Sequence, residues 1–225
     1  STEHEISLGG TREAIARSCL EEALAELARD RVGALKELAR LAQEFGDTES
    51  GNKALAHLRA ENAYREAMTI AVPHIGPVYS NTPLDKTWAM PAPDGAHVCL
   101  DLGEEEYTRG RPHPMIDPAA RIDWLERQVD DPTVAVVLVD VVIGDGSHVD
   151  PAGMLAPVAE RIVASGAAVI AYVLGTERDP QQYQAQRDTM AAAGCIVPET
   201  AARAALAAAA VVNRDPALIY DPLDG

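Results

Sequence analysis

Residues 133–153, TVAVVLVDVVIGDGSHVDPAG, constrain the fold more than any other stretch of the chain. From 134 to 143 they form an almost unbroken run of β-branched and aliphatic side chains. Strict polar alternation is missing, which predicts a strand covered on both faces, as at the centre of a parallel sheet. Gly144-Asp145-Gly146 then forces a turn. Ser147, His148 and Asp150 follow, and Pro151 stands where a helix takes its first turn, with Asp150 as its cap. Strand, polar loop and helix start in that order form the place where open α/β sheets bind ligands.

Further strands are predicted over 96–102, 167–174 and 195–197. Helices are predicted over 118–130 with Asp117 as cap, 151–165, 180–193 and 199–212. This alternation implies a parallel sheet with right-handed crossovers and helices on both faces. Upstream, Ile15, Cys19, Leu24 and Leu27, then Leu35, Leu38, Leu41 and Phe45, keep helical spacing. They predict helix over 11–45, capped by Thr11 and divided at Gly33. A third helix over 53–70 stops before Pro73. The expected division is therefore a helical N-terminal region, 1–72, and an α/β domain, 73–225. Residues 74–93 read as a long loop holding Tyr79 and Trp88, either a lid against another subunit or a cover for the domain's own edge. The tail, 215–225, reads as lying across the surface.

Composition narrows the function classes. Hydrophobic residues make up 47% but aromatic ones only 4%, which predicts a core of Ala, Val, Leu and Ile rather than a ring-lined pocket. A net charge of −16 repels phosphate backbones and anionic lipid, so neither nucleic acid nor membrane is an expected partner. Cys19, Cys99 and Cys195 are far apart without ligand spacing, so no metal site is expected and three reduced, buried thiols are. An acidic, polar N-terminus and the lack of a membrane-length apolar run predict a cytoplasmic protein.

A second polar stretch, 104–118, concentrates Arg109, Arg111 and His113 in a chain with few cations. The arginines have the chemistry to fork onto a carboxylate or phosphate. The plainer reading is that they neutralise Glu104, Glu105, Glu106 and Asp117. His148 among Asp140, Asp145 and Asp150 suits a general base, a phosphate acceptor or a divalent-cation site. More plainly, Asp150 caps a helix, Asp145 occupies a turn and His148 is a hydrogen-bonding loop residue. There is no G-x-x-x-x-G-K-[ST], no strand followed by G-x-G-x-x-G and no G-x-S-x-G.

Three segments, GPVYSNTPL (76–84), DLGEEEYTRGRPHPMIDP (101–118) and VLVDVVIGDGSHVDPAG (137–153), resemble signature segments of the FdrA family. Those proteins are similar to the α-subunit of succinyl-CoA synthetase, and the likeness extends over about 52–212. The resemblance implies a flavodoxin-like succinyl-CoA-synthetase-type domain, in a form without the family's N-terminal CoA-binding domain. It also implies a subunit of a multi-subunit enzyme that transfers an acyl or carbamoyl group to phosphate, as oxamate carbamoyltransferase does. His148 and His113 are the expected catalytic residues. Arg109, Arg111, Ser80, Asn81, Gly144, Gly146, Ser147 and Asp150 are the expected anion- and substrate-binding residues. Phosphate or CoA is the implied ligand, and other subunits and a small carboxylate or ureide the implied partners. The Gly-His-Ala-Gly-Ala phosphohistidine motif is absent. Two alternatives stand beside this reading: a non-catalytic scaffold subunit of such a complex, and an NDP-forming acyl-CoA synthetase.

Overall fold

The computed structural model describes residues 2–26, 31–45 and 48–223. In order these form α1 (Thr2–Glu26), α2 (Arg31–Glu44), α3 (Glu49–Ile75), β1 (Val78–Ser80), β2 (His97–Cys99), α4 (Glu105–Thr108) and α5 (Ala119–Glu126). Then follow β3 (Val136–Val142), α6 (Pro151–Ala164), β4 (Ala168–Leu174), α7 (Tyr183–Ala192) and α8 (Ala201–Asn213). β3 and β4 pair in parallel from Val136↔Ala168 to Val142↔Leu174, and a single bridge, Ile170↔Ile196, extends that ribbon. β1 and β2 form a second parallel pair.

The lack of polar alternation in β3 and β4 has its cause in the two layers that cover them. Val139, Val141, Val169, Ala171 and Val173 point to one side, where they meet Leu155, Val158 and Ile162 of α6 and Met190 of α7. Ile170 and Tyr172 point to the other, against Ala63 of α3 and Ala201, Ala204 and Ala208 of α8. Small alanines let α3 and α8 approach the strands closely, which is where the aliphatic, ring-poor composition is used. The arrangement is the expected parallel α/β one with helices on both faces.

Several local expectations need correction. Thr11 lies inside α1, not at its start, because a threonine caps only where the preceding backbone leaves the helix. Gly33 lies within α2 and divides nothing. A helical glycine costs about 1 kcal/mol, which the burial of Leu38 and Leu41 against Leu20 and Ala23 outweighs. α3 runs through Pro73, since a proline near the end removes one bond only and the last turn still closes with Gly76 N donating to Val72 O at 3.0 Å. The segment 74–93 is not all loop: it holds β1 and a 3-10 turn, Lys86–Trp88. Three-residue strands are too short to leave a period in the sequence. Residues 195–197 make one bridge rather than a strand. Of the three free thiols only Cys195 belongs to a buried residue; Cys19 and Cys99 are half-buried. The tail forms a 3-10 turn, Pro216–Tyr220, held to α8 by Arg203 donating to the carbonyls of Ile219 and Asp221, both at 2.9 Å.

Candidate functional site

The loop after β3 is built around two glycines with positive φ, Gly144 (137°) and Gly146 (83°), a conformation that side chains oppose. This bend returns the chain so that His148 N donates to Met115 O at 2.7 Å. The β3–α6 loop and the arginine–histidine loop therefore lie side by side. His113 and His148 also share one local device. Each ring accepts, at Nδ1, the backbone N–H two residues on, from Met115 at 3.2 Å and from Asp150 at 3.1 Å. A neutral ring held that way keeps its proton on Nε2.

The two rings differ in setting. His113 packs with Nε2 against Gly103, so close that a β-carbon there would stand 2.6 Å away. Burial, with the nearby Arg121 guanidinium adding to it, pulls its pKa down to about 4. The ring is neutral at neutral pH and offers a hydrogen bond, not a charge. His148 is half-buried on the open side of the loop. Beside it, Ser147 Oγ is fully enclosed and, among the described residues, has no hydrogen-bond partner. An enclosed hydroxyl without a partner is costly unless a ligand or water completes it.

Two residues that the sequence did not mark hold this loop. Gln181 is buried and brackets Gly144, accepting from its N–H at 3.1 Å and donating to its carbonyl at 3.0 Å and to His148 O at 3.1 Å. Gln186, also buried, accepts from Ala152 N at 2.8 Å and donates to Asp150 Oδ1 at 3.0 Å. Asp150 caps α6 as expected, accepting from Gly153 N at 3.0 Å. Met154 N bonds Asp150 O. The amides of Ala152, Gly153 and Met154 at the start of α6 are already paired, and a carboxylate stands in front of them, so this helix start does not favour an anion. No sequence signal marked this clamp: Gln181 and Gln186 stand in a polar run, and only their burial obliges them to find partners.

The remaining predicted residues are distributed as follows. Arg109 is exposed and pairs with Glu105 at 2.9 Å on the same helical turn, the plainer of its two readings. Arg111 is exposed and carries no ion pair among the described residues. Asn81 is fully used as a bracket on Asp101, donating to its carbonyl at 2.9 Å and accepting from its N–H at 3.0 Å. Ser80 is buried, with its Oγ 3.0 Å from Tyr64 Oη and accepting from Thr82 N. Ser80 and Asn81 brace the end of β1, and Asn81 is joined to the His113 loop through Asp101, whose Oδ1 accepts from Gly103 N at 2.9 Å. The sequence also missed Arg121, which reaches from α5 to the carbonyl and carboxylate of Asp140 on β3. Among the described residues no cluster of His, Cys, Asp and Glu suits a metal, and no helix is long and apolar enough to cross a membrane.

The family model described as CoA-ligase matches residues 45–211, from the end of α2 through nearly all of α8. The chain belongs to the CoA-ligase family. Both loops of the site fall inside the CoA-ligase match, and the layered parallel sheet is the flavodoxin-like fold of a succinyl-CoA-synthetase-type domain. The chain is also similar to the uncharacterized protein YahF of Escherichia coli (strain K12), 36% identical over 151 residues. That likeness takes in 64% of this chain and 29% of YahF, so this CoA-ligase chain spans less than a third of its relative's length.

Proposed function

We propose that this chain is the CoA-ligase-type part of an FdrA-type multi-subunit enzyme that transfers an acyl or carbamoyl group to phosphate. The observation that carries the reading is the His148 N to Met115 O bond, with an unpartnered Ser147 hydroxyl beside it. In this reading Arg111 holds the phosphate dianion. Ser147 Oγ donates to the carbonyl oxygen of the donor as charge develops there. A phosphate oxygen attacks the carbamoyl carbon, and the bond to the leaving nitrogen breaks. His148 Nε2 gives its proton to that nitrogen and regains one from the hydrogenphosphate. His113, neutral and half-buried, orients the 113–115 turn. The helices of 1–72 are the docking side for other subunits, and 73–225 the side that carries the chemistry.

The start of α6 does not fit the diphosphate of CoA, because its amides are paired and Asp150 repels the charge. No step here runs through CoA. The test is carbamoyl phosphate formation by the reconstituted complex. Arg111→Ala is expected to lower kcat/KM for phosphate about tenfold or more, and unchanged turnover ends this reading. Membership of the CoA-ligase family favours a second reading, an NDP-forming acyl-CoA synthetase, for which CoA-dependent ADP formation by the same complex is the deciding measurement.

A further inference from the structure

α7 starts differently from its neighbours. α6 and α8 open at Asp150 and Thr200, each with a negative φ (−148° and −136°) and a side chain that accepts an amide of the first turn. α7 opens at Gln182, a residue type without capping preference, which makes no side-chain cap bond. Its φ is 62° and its ψ 102°, outside the left-handed helical region and strained for any residue with a side chain. Two other non-glycine residues have positive φ among the described residues. Arg214 ends α8 in the ordinary left-handed conformation, and Asp130 is of a type that tolerates it. Gln182 alone breaks two local rules at once, and such breaches belong to places where function sets the geometry.

The segment around Gln182 is pinned on every side. Gly175 lies flush against the end of β3, where a β-carbon would stand 2.2 Å from Ile143 Cγ1. Thr176 N donates to Asp179 Oδ2 at 2.6 Å, and Gln182 N donates to Asp179 O at 3.0 Å. Glu177 Oε1 accepts from Gln184 N at 3.0 Å, which does the capping that Gln182 leaves undone. What the strained residue separates is Gln181, turned back into the β3–α6 loop, from the helix that carries Gln186 into the same loop. We infer that Gln181 is a positioning residue for Ser147 and His148, and that the strained backbone of Gln182 is the device that aims it. The assignment rests on the transfer reading above for the use made of His148, while its geometry is testable without that reaction.

Amide hydrogen exchange of the full chain, followed by NMR, reads that geometry. The His148 amide bonds Met115 O and not Gln181, so it reports on the loop rather than on the lost contact. Gln181→Leu is expected to speed its exchange about tenfold or more beyond any change in the amides of β4, which report global opening. Equal acceleration at both places means a general loss of stability and overturns the inference, as does unchanged exchange at His148. If Gln181→Leu fails to fold, Gln181→Glu replaces it with the same expectation, since it keeps an acceptor for Gly144 N and removes both donated bonds. Gln182→Gly is expected to raise the melting midpoint by about 2–4 °C, because glycine adopts this backbone without strain, and to keep the His148 amide protected. A lowered midpoint overturns the role given to Gln182. A loosened loop with undiminished carbamoyl phosphate formation by the reconstituted complex supports the positioning and refutes the transfer reading instead.

Discussion

At the scale of single residues, the environment of His113 sets a pH dependence that its sequence neighbours hide. Arg109, Arg111 and Asp117 surround it in the chain and make it look like one more cation of a polar loop. Folding buries it against Gly103 and beside Arg121, so its imidazole takes up a proton only near pH 4 instead of 6.5. Between those values the unfolded chain binds the extra proton. The stability that rests on the neutral ring is complete above pH 6.5 and is lost as pH falls toward 4. Lowering the pH from 7 to 5 should cost about 2 kcal/mol through this group. Urea unfolding of the native chain and of His113→Asn measures it; equal losses for both would refute the assignment. The pairing of Arg109 with Glu105 was legible as a four-residue spacing, whereas the Ser147 hydroxyl without a partner was not, since enclosure is no property of a tripeptide.

At the scale of elements, the entry to α7, with Gln181 just before the helix and Gln186 in its first turn, is what shapes the β3–α6 loop. The cap at Asp150 and the glycine turn before it were readable, because both are local devices of one or two residues. The glutamine clamp joins positions more than thirty residues apart, and no local pattern announces such a bond. Replacing Gln181 by Leu keeps volume but leaves Gly144 N and His148 O without partners, while Gly144 O keeps only Ser147 N. The expected cost is about 2–4 kcal/mol, taking about 1–3 for each buried group left unpaired and allowing for partial relaxation. Denaturant midpoints of the variant check it; a loss under about 1 kcal/mol would mean that the loop holds its own shape. Misplaced helix limits upstream have the same origin. Gly33 and Pro73 are breakers by propensity, and the packing of α2 on α1 and of α3 on α8 outweighs that preference.

At the scale of the whole molecule, a net charge of −16 in 225 residues makes self-repulsion a measurable term. Sodium chloride raised to about 0.5 M shortens the screening length to a few ångströms and should raise the denaturant midpoint. A falling midpoint would mean that attractive pairs such as Arg121 with Asp140 outweigh the repulsion. By itself the sequence determined the parallel α/β class, since aliphatic runs without polar alternation have to be covered on both faces, and it placed the caps and turns that close within a few residues. Tertiary structure alone decided which loops meet, which histidine loses its charge and which glutamines are buried. Each of these is a contact between distant segments, whose energy depends on burial and on the partner across the gap.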